Sequence, residues 1–236
     1  MTATFKTSSG GFLTTTAELN RSDEDTLDFP LHLDYSSEHV LTDDDTLVVD
    51  CTGLAGDLDN ITVVAIDGTA VHGMPLTILS VVADTETLDA NTCTVTLAAS
   101  YTGTVKAGTR FLSRFVPTMP VLRDGDGVAI VRAELNVSEF DITFDKTGPF
   151  NMIRQSTYEA PEDWWNLAYA GRTLGDPDFN LGTAPIDSDV IAFPFADLST
   201  TSKLVIECDT HLPMTLTEIE WRGSVRNRSR RLTNGG

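Results

Sequence analysis

The stretch TCTVTLA, residues 92–98, sets Cys93, Val95 and Leu97 in alternation with Thr92, Thr94 and Thr96. Successive side chains of an extended chain point to opposite faces, so this segment predicts a strand with one buried and one hydroxyl-bearing face. Outward from it the same pattern recurs: short apolar runs rich in Val, Ile and Thr, each bounded by Gly, Asp, Asn or Pro. Strands are expected at 45–50, 61–66, 76–82, 92–98, 109–116, 128–144, 189–195, 203–209 and 214–223. Helical spacing is nearly absent, and only AELNR and PEDWWNLAYA are candidates for a helical turn or two. The fold class is therefore all-β.

The hairpins are marked by Asp-Gly pairs in IDGTAVHG and LRDGDGVAI, where both turn positions tolerate positive φ. The second pair resembles the start of a calcium loop, but after Asp124 and Asp126 the chain runs into VAIV with no distal bidentate glutamate, so a turn is expected. Near residues 105–118 acids give way to Lys106, Arg110 and Arg114, and VPTMP inserts two prolines. A boundary there divides the chain into an extended N-terminal arm (1–40), a small acidic antiparallel β-barrel (41–108), a β-sandwich (109–223) and an arginine-rich tail (224–236). The arm is read as an extended or partly disordered segment with single apolar anchors.

Charge is segregated. The chain has 236 residues and a formal net charge of -19, and residues 1–105 hold 17 acids against Lys6 and Arg21. The end of the chain opposes this with Arg222, Arg226, Arg228, Arg230 and Arg231 and no acid. A body so negative repels phosphate backbones, because nucleic-acid affinity comes mostly from Lys and Arg displacing counterions. Sequence-specific DNA binding through the tail is the weakest reading, since no base-reading motif accompanies it.

Catalytic and cofactor readings find no anchor. His32, His39, His72 and His211 lack metal-ligand spacing, and no phosphate loop, nucleophile elbow or dinucleotide fingerprint occurs. Cys208 and His211 in ECDTHLP are close in sequence but read as core and turn, and Cys51, Cys93 and Cys208 as three buried reduced thiols. Acid runs such as Asp23 to Asp25 and Asp43 to Asp45 read as solvated surface. No enzyme activity, metal or cofactor is expected. No apolar run reaches the roughly 18 residues of a membrane span and no signal peptide is evident at the N-terminus, so synthesis in a cytoplasm is expected.

From about residue 108 onward the segments GTRFLSRFVPTMPVLRDGDG, VAIVRAELNVSEFDITFDKTGPFNMIR, YAGRTLGDPDFNLGTAPIDSDVIAFPF and LVIECDTHLPMTLTEIEWRGSVRNRSRRL resemble the C-terminal part of the tail tubular protein B family, the nozzle of short-tailed bacteriophages. Thr210, Pro213, Leu216, Trp221, Gly223, Arg230 and Arg231 occupy its closing pattern. About half the chain is covered, and the large propeller-like portion of the family has no counterpart, so a stripped-down nozzle or single tail-tube module is implied. The resemblance implies a structural virion protein: a six-fold ring below portal and adaptor that conducts the genome and meets other tail proteins. With that reading, Trp164, Trp165, Trp221, Arg222, Arg226, Arg228, Arg230 and Arg231 are candidates for subunit or tail-protein contacts. Asp43, Asp44, Asp45, Asp57 and Asp59 are candidates for an acidic lumen past which DNA slides unbound. The competing reading is a carbohydrate-binding β module of a tail spike or secreted enzyme, with Trp164, Trp165 and Tyr158 as its platform.

Overall fold

A computed structural model describes residues 2–6, 12–16, 29–50, 58–66, 72–83, 92–123, 125–126, 128, 130, 133–171 and 184–227, with backbone alone at 2–6, 12–16, 133, 226 and 227. Its regular elements are strands, joined among the described residues by two short 3-10 turns. In chain order the strands are β1 (Thr2–Lys6), β2 (Phe12–Thr16), β3 (Asp34–Asp50), β4 (Ile61–Ala65), β5 (Ile78–Ala83), β6 (Thr92–Thr109) and β7 (Ser113–Phe115). There follow β8 (Ala133–Thr147), β9 (Phe150–Ser156), β10 (Trp165–Tyr169), β11 (Asp187–Leu198), β12 (Ser202–Cys208) and β13 (Leu216–Asn227). The all-β expectation holds, and every pairing is antiparallel.

β6 organises the first half. Its alternation was legible: Cys93, Val95 and Leu97, then Val105 and Ala107, are buried and form a core with Leu41, Leu47 and Val49 of β3 and Ile61 and Val63 of β4. β3 runs along one edge of β6, while β5 pairs with its first part and β4 with its last. The expected barrel is not what forms. Among the described residues the sheet is open, with β3 as an unclosed edge, because β4 and β5 share the other side of one long strand. β6 takes up the curvature itself: between Asp44↔Tyr101 and Thr46↔Thr96 it advances five residues while β3 advances two. Such a bulge bends a sheet without closing it.

The second half is a sandwich. One sheet has the order β10-β9-β12-β7 and the other β11-β8-β13. Their inner faces enclose one core: Phe140, Ile142 and Phe144 of β8 and Phe193 and Phe195 of β11 meet Phe150 and Met152 of β9 and Leu204 and Ile206 of β12. The Phe140 and Phe195 rings meet edge to face at 5.1 Å, and Phe144 and Phe150 at 5.5 Å, the geometry favoured by aromatic quadrupoles.

Several expectations need correction. β9 and β10 were not anticipated as strands: PEDWW reads as a helical turn, but only Pro161–Asp163 turn in 3-10 fashion before Trp165 enters β10. The expected strand at 109–116 shrinks to Ser113–Phe115, and VAIVR does not belong to β8 as a whole, since Ile130 donates its N–H to the Leu122 carbonyl instead. Residues 34–40, set with the arm on sequence, are the start of β3, and β13 runs past Gly223 to Asn227. β1 and β2 pair with each other. AELNR and the Asp67-Gly68 turn lie outside the described residues. The thiol expectation also fails in part: Cys208 is free and buried, but Cys93 is disulfide-bonded. Cys51 lies outside the described residues.

Candidate subunit interface

The closing strand is held by its neighbour β8. Trp221 lies opposite Phe140 and Val225 opposite Leu135, so both point to the core-facing side, yet each stays about half exposed because β13 is the edge of its sheet. Gly223 follows a register shift, and a Cβ there would come within 2.4 Å of the Asn136 carbonyl oxygen. Only glycine fits, which gives the Trp-x-Gly pattern a physical cause. Arg222, on the opposite face, makes an ion pair with Asp141 of its own chain, and Arg226 stands opposite Glu134. Arg228, Arg230 and Arg231 lie outside the described residues.

The tryptophans of PEDWW are placed differently from one another. The Trp164 indole N–H donates to the Glu159 carbonyl at 3.3 Å, and Arg154 pairs with the Glu159 carboxylate at 3.1 Å. Trp165 stacks on Phe193 with centroids 4.8 Å apart, so one ring face is taken by the rim of the core. Trp221 is on β13, at the far edge of its sheet from the β11 strand that carries Phe193.

The candidate acids are not one cluster. Asp43 to Asp45 sit at the β3 bulge, where Asp43 has φ 57 and its carboxylate accepts from the Ser100 hydroxyl at 2.8 Å. Asp44 accepts from the Thr42 N–H at 3.2 Å. Asp59, exposed, precedes β4 at the end of the sheet where Ile61 pairs with Thr109. The bulge lies seven positions back along β6, at Thr102. That separates the acids by roughly 23 Å at about 3.3 Å per residue. Asp57 lies outside the described residues.

Cys208 and His211 do not form a nucleophile and base. The Cys208 thiol donates to the Pro149 carbonyl at 3.3 Å, while His211 Nε2–H donates to the Gly73 carbonyl at 3.0 Å. The histidine instead closes the seam between the halves. Its own carbonyl accepts from the His32 N–H at 2.8 Å, and the His32 ring stacks on Phe111. A cleft of about 420 Å³ beside it is lined by Met74, Pro75, Arg110, Pro149 and Leu212. Burial lowers the His211 pKa, the bond to Gly73 raises it, and the Arg110 charge lowers it further. The net shift is downward, which favours the neutral imidazole.

Sequence reasoning missed one surface. Phe111, Leu112, Phe115, Val116, Val121, Val128 and Ile130 are all exposed within twenty residues. The signal was present as a run of large apolar residues around VPTMP, but a strand assignment consumed it.

The family model for the bacteriophage nozzle protein matches residues 3–232. The chain belongs to that family. The nozzle match is wider than the C-terminal resemblance, since it takes in the acidic first half as well. This nozzle-family chain is a structural component of a phage tail, associated with other tail proteins in the virion. A search of curated proteins gave no match.

Proposed function

We propose that the chain assembles into a closed ring of the tail tube, below portal and adaptor, through which the genome leaves during ejection. Membership of the nozzle family carries this reading. The six-fold order is the one the family resemblance implies. Charge segregation gives the ring a working logic: an acid-rich wall repels phosphates and offers no counterion-releasing contacts, so DNA passes without sticking. The exposed carboxylates of Asp45 and Asp59, with Asp43, Asp44 and Asp57, are assigned to that wall. The arginines of the tail, with Trp221 on β13, are assigned to contacts with an adjacent copy or another tail protein, where guanidinium forks pair with carboxylates. Trp164 and Trp165 are assigned to such contacts through their exposed edges.

Electron microscopy of the purified chain, alone and with adaptor protein, tests the reading. Rings with a net negative bore are expected. A monomer at all concentrations, or a bore with net positive charge, overturns the ring or the acidic conduit respectively.

A further inference from the structure

The exposed apolar run following β6 is also basic. Residues 110–123 carry Arg110, Arg114 and Arg123 and no acid, in a chain of net charge -19. Leu112 and Val121 are 60% and 56% exposed, and Phe111, Phe115 and Val116 are exposed beside them. Met119 and Leu122 pack inward against the sandwich core, which fixes the segment to the body with Leu112, Phe115, Val116 and Val121 outward. The Arg114 guanidinium, held by Glu207 at 3.1 Å, keeps about half its surface in solvent. A contiguous apolar stretch of this kind marks a contact surface more often than a bare exterior.

The complementary surface is on the same chain. Of the acids of β3, Glu38 and Asp50 stand on the same face as Val40 and Val48, with Glu38 opposite Lys106 of β6. That exposed face also has apolar residues to offer. Val48, Thr94 and Val82 form one row across β3, β6 and β5, and Val40 lies further along β3. Val40, Val48 and Val82 are 74%, 57% and 60% exposed. We infer that the 110–123 segment of one copy docks on the outer face of the β3, β6 and β5 strands of the next copy. Apolar side chains are buried at the centre, and Arg114 and Arg123 face Glu38 and Asp50 at the rim. Two different surfaces meet in this contact, so it is heterologous, the kind of contact that builds a ring when its rotation closes. The Asp43 to Asp45 bulge lies on the open edge of β3 and stays available to a bore.

This inference rests on the ring reading, and the test separates the two. A photo-crosslinking benzoylphenylalanine replaces Leu112 in the full chain, and crosslinked peptides are mapped by mass spectrometry. In parallel, a Leu112→Asp and Val121→Asp double variant is weighed by mass photometry beside the wild type, with thermal melting as the fold control. Expected are crosslinks to residues 38–50 or 79–82 of another copy, and at least about a tenfold rise in the concentration at which the variant's rings dissociate, at an unchanged melting temperature. Wild-type rings with crosslinks elsewhere, or a variant that assembles as the wild type does, overturn this surface and leave the ring standing. A wild type that never assembles overturns both.

Discussion

Two single residues carry more of the fold than their size indicates. Gly223 lets β13 come within reach of Asn136, and a methyl group at 2.4 Å from that carbonyl oxygen forces the two backbones apart. Gly223→Ala is expected to cost about 1–3 kcal/mol, the usual range for overpacking, read as a lower denaturant midpoint at unchanged m-value. His211 favours the neutral form in the folded chain because burial lowers its pKa below 6.5. The unfolded chain therefore takes up the proton first as pH falls, so stability present above about 6.5 is lost as pH drops through the folded value. His211→Gln keeps an N–H for the Gly73 carbonyl but cannot titrate. Between about pH 7 and pH 5 the wild type should lose more melting temperature than this variant does. Equal losses would mean that His211 contributes nothing to the pH response.

At the scale of elements, the bulges set the shape. Among the described residues, the four non-glycine positions with positive φ, Tyr35, Asp43, Lys146 and Ala196, fall where strand register shifts: β3 against β6, and β8 against β11. Asp43 tolerates φ 57 because its short side chain finds a donor in Ser100. Asp43→Val brings a β-branched side chain into that region and removes the acceptor, at an expected cost of about 2–3 kcal/mol, whereas Asp43→Asn should stay within about 0.5 kcal/mol. Chemical denaturation of the pair checks this. The same bulges explain what the sequence could reveal. Strands with strict alternation, such as Cys93 to Leu97, were legible because period two maps directly onto one buried face. β9 and β10 were not, since Phe150 and Met152 are their main buried apolar anchors with Tyr169, and Arg154 and Trp165 occupy rim positions. Whether the first sheet closes was also beyond local pattern: closure depends on which strands share an edge of β6, a long-range pairing that alternation does not encode. At the candidate interface, Trp221 and Gly223 were legible as a motif, but the outward side of residues 111–121 was not, because exposure there follows from what fails to cover them.

For the whole molecule, the question is what a basic end does in a chain whose body is acidic. β13 shows how the end divides. Arg222 is consumed internally by Asp141, and the strand stays paired with β8 as far as Asn227↔Ala133. Cutting the chain after Gly223 would therefore remove paired strand as well as charge, and a loss of assembly would not be attributable to the arginines. Truncation after Asn227 is the clean cut: it removes Arg228, Arg230 and Arg231 and leaves every described β13 pairing in place. This truncation is expected to leave the melting temperature within about 2 °C of wild type, because no described strand pairing is lost. It should weaken assembly, and the defect should be largest at low ionic strength and shrink as salt screens the contacts in the wild type, given a screening length of about 8 Å at physiological salt. Sedimentation velocity across a salt series reads both. Assembly equal to wild type at every salt concentration would show that those arginines hold nothing in the ring, and would leave the 110–123 segment as the basic surface that meets the acids of the next copy.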